Sequence, residues 1–174
     1  MAAPAFTQKL NEQLGNEFAA HQQYIAIATF YDALTMPQIA GLFYQQAVEE
    51  REHAMMMIRY LLDADETPLI PATPAPQTGF ADVVAPVRLA LEQEKRVTQQ
   101  INELTRIARD ASDFASDQFM QWFIKEQVEE VAKMSDLLAV VTRSADDYER
   151  IEDWIAREDK GSDGDPTAPP AAGA

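Results

Sequence analysis

The sequence contains no cysteine. Disulfides, zinc fingers, iron–sulfur clusters and thiol nucleophiles are thereby excluded, and a reducing cytoplasm is the expected compartment. Basic residues are scarce: 14 Lys and Arg stand against 29 Asp and Glu, a formal net charge of −15. Nucleic acid is not an expected partner, because phosphate contacts need clustered Lys and Arg. No apolar run approaches the length that crosses a bilayer, so no membrane is expected either. The N-terminal Met-Ala-Ala-Pro-Ala-Phe-Thr has neither a basic start nor an apolar core and does not read as a secretory leader. What remains is 174 residues with 47% hydrophobic content, enough for one domain with a sizeable core.

The apolar residues recur with a helical period in four long stretches. The first runs from Thr7 to about Leu34, with Leu10, Leu14, Glu17, Phe18, His21, Tyr24, Ile25 and Ala28 on its stripe. Pro37 opens a second, reaching about Ala64, whose stripe is Ile39, Phe43, Gln46, Glu50, His53, Met57 and Leu61. The turn between them is short, so these two helices are antiparallel neighbours. A proline-rich connection follows from Glu66 to Gly79, with Pro68, Pro71, Pro74 and Pro76. A helix of about 28 residues is roughly 42 Å long, and an extended linker of about 16 residues reaches roughly 50 Å. The connection can therefore run the length of a bundle and set the second and third helices parallel.

The third helix is expected from an N-cap at Asp82 to Arg109, with Pro86 in its first turn and Glu94 alone in the centre of an apolar face. Ser112 or Asp113 caps a fourth, reaching about Arg143, with the stripe Phe119, Phe123, Gln127, Glu130, Met134, Leu137 and Val141. A short fifth segment spans Asp146 to about Arg157. Residues 1–157 form the domain. Residues 158–174, rich in Gly, Pro, Ala and Asp, have nothing to bury and are expected to be a mobile tail.

Each long helix thus carries ligand-type residues on its apolar face: Glu17, then Glu50 and His53, then Glu94, then Gln127 and Glu130. A single such glutamate is also what a misphased surface residue looks like. All of these fall near the middle of their helices, so one layer of the bundle can collect them. Four carboxylates in an apolar layer repel and take up protons unless cations hold them. Two divalent ions would leave the layer near charge balance, and oxygen ligands with one imidazole suit iron or manganese better than copper. Two other readings fit less of the pattern. A di-iron oxidase or oxygenase acting on an organic substrate would need an apolar pocket beside the metals, and an acidic interaction module would bind no iron stoichiometrically.

Glu17, Glu50-Arg-Glu-His53, Glu94 and Gln127-Val-Glu-Glu130, with their flanking runs, resemble the non-haem bacterial ferritins, especially actinobacterial ones, over about Phe6 to Arg157. The resemblance implies an all-α, ferritin-like four-helix bundle with one long crossover and a short fifth helix. It implies iron storage: Fe²⁺ oxidised by O₂ or peroxide at a di-iron ferroxidase centre, and ferric mineral kept inside a homo-oligomeric cage of 24 subunits. By position, Glu17, Glu50 and His53 would hold one iron, with Glu50 bridging; Glu94 and Glu130 would hold the second, with Gln127 beside it. Tyr24 matches a tyrosine near the first iron, and Glu49, Glu126 and Glu129 match residues that form a third iron position with Glu130. Asp117 matches a residue lining the three-fold channels. Haem is not expected, since Arg51 stands where haem-binding relatives carry a methionine.

Overall fold

The computed structural model describes residues 2–158 and 165–173. Five helices form among them: α1 Pro4–Ala33, α2 Pro37–Asp63, α3 Ala85–Asp110, α4 Phe114–Arg143 and α5 Tyr148–Glu158. None is long and apolar enough to cross a membrane. Proline occupies the first turn of α1, α2 and α3, where the missing N–H would have had no partner in the helix anyway. α3 begins at Ala85 and not at Asp82. The Asp82 carboxylate still serves its start, accepting the backbone N–H groups of Val84 and Ala85 at 2.9 and 2.8 Å. At α4 the cap is Asp113, which accepts from the Ser116 backbone at 3.1 Å and its hydroxyl at 2.6 Å, and also takes the Ala3 N–H at 2.8 Å.

With only six glycines in the chain, three helices end without one. Thr35, Asp65 and Ser112 adopt positive φ of 61°, 62° and 56° just past the ends of α1, α2 and α3. Each closes the same pair of bonds. The Thr35 N–H reaches Asp32 O at 2.9 Å and the Met36 N–H reaches Tyr31 O at 3.1 Å, with equivalents at Asp65–Glu66 and Ser112–Asp113. A left-handed backbone costs a residue with a side chain about 1–2 kcal/mol, and satisfying the terminal carbonyls offsets it.

The crossover runs along α1. Leu69 N–H donates to Asn11 Oδ1 at 2.7 Å, Gln77 exchanges two bonds with Gln23 at 2.8 and 2.9 Å, and Val83 O accepts from the Tyr31 hydroxyl at 2.6 Å. Pro71 lies over Gly15 so closely that a Cβ there would meet its Cγ at 3.2 Å, which explains a glycine inside a long helix. Lys9, near the start of α1, pairs at 3.4 Å with Glu103, near the end of α3, so α1 and α3 are antiparallel. Since α1 and α2 are also antiparallel, α2 and α3 run parallel, as the linker's length predicts.

The buried face of α1 is rotated from its expected stripe. Gln13, Ala20, Ile27 and Tyr31 are buried, while Ile25 is 38% exposed and Phe18 and His21 are only partly covered. The reason is that α1 meets α2, α3 and the crossover together, so its apolar arc is broader than one stripe. The interior divides into two apolar clusters. One gathers Tyr31, Phe43, Val87, Leu137 and the α5 residues Ile151 and Ile155; the other gathers Phe6, Leu10, Leu61, Ile101, Leu104 and Phe123. Glu152 of α5 accepts the backbone N–H groups of Gln38 and Ile39 at 2.7 and 3.0 Å, capping α2, which has no side-chain cap of its own.

Residues 159–164 of the expected mobile tail lie outside the described residues. Residues 165–173 do find partners, on α2 and α4. Asp165 accepts from Trp122 Nε1 at 3.2 Å and Lys125 Nζ at 3.0 Å, the Ala172 N–H reaches Met55 O at 3.0 Å, and Ala168 and Ala171 pack on the second cluster. One aspartate and three alanines suffice for this, too little to show as a periodic pattern.

Candidate metal centre

Between the two apolar clusters lies a polar layer built by the four long helices. Glu17, Glu50, His53, Glu94, Gln127 and Glu130 are each 5% exposed or less. On α2, Glu50 and His53 stand three residues apart and so share a face. His53 Nδ1 lies 3.4 Å from Glu50 Oε2 and 3.8 Å from Glu17 Oε2. Among the described residues, these three form the one group of three or more whose ligand atoms all lie within 4.8 Å of one another. Glu17 Oε2 and Glu50 Oε2 accept no hydrogen bond although both are fully buried. Orphaned carboxylate oxygens facing an imidazole are costly to bury, and a cation between them removes that cost.

Glu94 and Glu130 complete the layer from the other helix pair. The Tyr24 hydroxyl donates to Glu94 Oε1, and Gln127 Nε2 approaches Glu94 Oε2 at 3.4 Å. The one proton of the Thr98 hydroxyl faces both Glu94 O at 2.8 Å and Gln127 Oε1 at 3.0 Å. Tyr24 therefore touches Glu94, the acid that the resemblance assigns to the second iron. Two glutamines hold the remaining acids: Gln13 Nε2 donates to Glu17 Oε1 at 2.7 Å, and Gln46 Nε2 to Glu130 Oε2 at 2.8 Å. Neither was among the expected site residues: Gln13 lies off the expected stripe of α1, and Gln46 lies one turn before Glu50 with no charge to mark it. The edges of the His53 imidazole meet Trp122 and Phe123, with ring centroids 5.5 and 5.8 Å away.

The electrostatics of the metal-free layer are those of crowded acids. Burial raises the Glu50 carboxyl well above its usual range, and the Glu94 charge adds to this. Burial also lifts Glu94, with Glu130 and Glu17 pushing the same way, to about 7. Glu130 is raised as well, chiefly by burial and then by Glu49, against the pull of Lys133. Burial works against the His53 cation, but Glu17 and Glu50 outweigh it and raise the imidazole well above its ordinary value. Glu17 alone among these acids is lowered: burial opposes its charge, but the nearby His53 and Glu50 and the bond from Gln13 outweigh it. Burial, then Glu94 and Glu50, keeps the Tyr24 phenol protonated. Binding a cation among such groups releases the protons they hold.

This chain matches the ferritin-like domain family over residues 7–144. It is 48% identical to Ferritin BfrB of Mycolicibacterium smegmatis over 168 residues, covering 97% of this chain and 93% of the relative. The chain belongs to the ferritin family. Bacterial non-heme ferritin of Staphylococcus saprophyticus is 37% identical over 138 residues, covering 79% of this ferritin and 83% of that one. An open-pore ferritin from Archaeoglobus fulgidus superposes with a TM-score of 0.88 at 24% identity, covering 93% of this chain and all of the other, which supports the fold. Iron storage is the function that comes with the family, and the buried glutamate–histidine layer of this ferritin is compatible with a ferroxidase centre.

The other expected residues are spread around this layer. Glu49 is partly buried beside it, Glu126 is partly buried one turn from Glu130, and Glu129 is exposed and pairs with Lys125 at 3.9 Å. His21 is structural: its Nδ1 lies 2.6 Å from Ala47 O and, facing a carbonyl, must donate. Met56 and Met57 pack in the second cluster. Asp117 receives the Arg109 Nε–H on both oxygens at 3.1 Å.

Proposed function

We propose that this ferritin oxidises Fe²⁺ at a di-iron centre in the polar layer and stores the ferric product inside a closed homo-oligomeric shell of 24 copies, in the cytoplasm. The observation that carries the reading is the pair of orphaned oxygens on Glu17 and Glu50 beside His53, with Glu94 and Glu130 within the same layer. In this reading Glu17 and His53 bind one iron, Glu94 and Glu130 the other, and Glu50 bridges. Gln127 lies beside the second iron, where a neutral amide with its Nε2 toward Glu94 and its Oε1 toward Thr98 would bind more weakly than a carboxylate. Glu49, Glu126 and Glu129 form, with Glu130, a third cation position on the cavity side.

Each Fe²⁺ gives one electron. Two electrons and two protons convert O₂ to hydrogen peroxide, or hydrogen peroxide to two waters. The chain's part is to hold both ions at one acceptor and to favour the higher charge, because anionic ligands stabilise Fe³⁺ more than Fe²⁺. The Tyr24 hydroxyl orients Glu94.

The deciding experiment is anaerobic Fe²⁺ titration of the shell, followed by oxygen, read by absorbance and size exclusion. Two tightly bound irons per chain, a fast ferric signal and then much larger retention in a very large particle are expected. Two irons per chain in a small particle with no further uptake would mean a di-iron oxidase. Absence of binding would defeat the site.

The weak ligand Gln127 favours release of product over retention. Gln127→Glu should therefore keep iron in the centre and slow the second and later rounds of oxidation, leaving the first round fast. Multi-turnover stopped-flow traces indistinguishable from wild type would rule this out.

A further inference from the structure

Lys133, three residues after Glu130 on α4, lies at the edge of the layer with its ammonium turned toward the acids. Its ammonium donates to Gln46 Oε1 and lies 3.5 Å from Glu130 Oε1 and 3.6 Å from Glu49 Oε2. Those three oxygens come from α2 and α4 and surround the cation on one side, as oxygen ligands would a metal. Glu49 Oε2 is buried and accepts no hydrogen bond that would tie it elsewhere. Gln46 is locked between the two groups: its Nε2 donates to Glu130 Oε2 at 2.8 Å while its Oε1 faces Lys133. The arrangement is an oriented cation site whose cation is covalently attached.

We infer that the Lys133 ammonium is the resident cation of the third position, so that this ferritin binds two irons per chain at its centre and admits a third only when Lys133 is removed. The inference rests on the di-iron reading of the layer. The Lys133 and Glu49 side chains are 39% and 20% exposed, so the ammonium stands at the solvent edge of the layer, between the carboxylates that a third ion would need. Without the ammonium, Glu49 and Glu130 would be left facing each other with room for a divalent ion and a charge deficit that favours it.

The consequence reaches turnover. An ammonium on a flexible four-carbon stem can swing aside but cannot leave. Ferric product that departs toward the cavity passes a site already occupied by positive charge, so it does not pause there as a third bound ion.

The test is equilibrium counting of redox-silent Zn²⁺, and of Fe²⁺ under anaerobic conditions, on assembled shells by calorimetry with metal analysis. Wild type should bind two ions per chain tightly, Lys133→Arg also two, and Lys133→Met three. If the methionine variant fails to assemble, Lys133→Gln, neutral and of similar length, should show the same third ion. Equal counts of two in wild type and in the neutral variant would overturn the role of Lys133 while leaving the di-iron reading standing, as would three tight ions in wild type. Fewer than two in wild type would overturn both.

Discussion

Glu50→Ala removes rapid Fe²⁺ oxidation and leaves the shell intact. Losing the partners that merely orient a metal ligand typically costs 10–100-fold, so losing a ligand proposed to bridge both ions should slow the first ferric signal on the order of 100-fold or more. The same change should not weaken the metal-free fold in the way most core truncations do. Glu50 is 2% exposed with an oxygen that accepts nothing, and its carboxyl is raised by burial and by the Glu94 charge. Deleting it opens a cavity but also removes a poorly satisfied polar group, and the two effects oppose. Stopped-flow absorbance and size exclusion on the same preparation separate them. A variant that still oxidises its first irons at the wild-type rate would show that Glu50 is not a ligand.

The metal-free protein should become less heat-stable as the solution becomes more alkaline from about pH 5 to pH 8. Glu50, Glu94 and Glu130 all have raised folded-state values, and so does His53. A group that holds its proton more tightly when folded contributes stability that is fully present below its unfolded value and is lost as pH rises through its folded value. Glu17, whose value is lowered, acts oppositely and only in the acid range. For Glu94 the change from 4.5 to about 7 corresponds to about 3 kcal/mol. At 2–4 °C per kcal/mol for a chain of this size, Tm should fall on the order of 10 °C across that window. Saturating Zn²⁺ should reverse the trend, since metal binds the deprotonated layer and each site at 100 times its Kd adds about 3 kcal/mol. Calorimetric scans at several pH values, with and without Zn²⁺, check both halves. A metal-free Tm that stays level or climbs over this range would mean that the layer is not a proton store.

The sequence shows the acids of this layer because each interrupts an otherwise apolar helical stripe, and Glu94 and Glu130 do so as clearly as Glu50. Their supports are silent for a physical reason. Gln13, Gln46 and Thr98 are neutral and small in hydropathy contrast, so nothing marks them until their hydrogen bonds to Glu17, Glu130 and Gln127 are seen. Lys133 is silent for another reason: a lysine at the edge of a stripe normally carries its charge out to water, and only the partners of its ammonium reveal that it turns inward. The helix ends at Thr35, Asp65 and Ser112 were hidden by the lack of the glycine that usually announces such turns. The crossover's direction, by contrast, is legible from reach alone. Its seat along α1 depends on Asn11, Gly15 and Gln23, polar or small positions that periodicity assigns only to a surface.

That seating has a geometric result for the two halves of the chain. Because the long connection makes α2 and α3 parallel, the α1–α2 hairpin and the α3–α4 hairpin are related by an approximate two-fold rotation across the bundle. The chemistry repeats with it: Gln127 follows Glu94 by 33 residues, the same interval that separates Glu50 from Glu17. Each hairpin thus brings one glutamate from its first helix and a pair spaced by three from its second. In the proposed di-iron reading the frame offers the two iron positions alike, and among the six candidate ligands two exchanges break the equivalence, glutamine for glutamate at 127 against 50 and glutamate for histidine at 130 against 53. On that reading, an order of loading or leaving would come from the side chains and their neighbours, and not from the backbone that carries them.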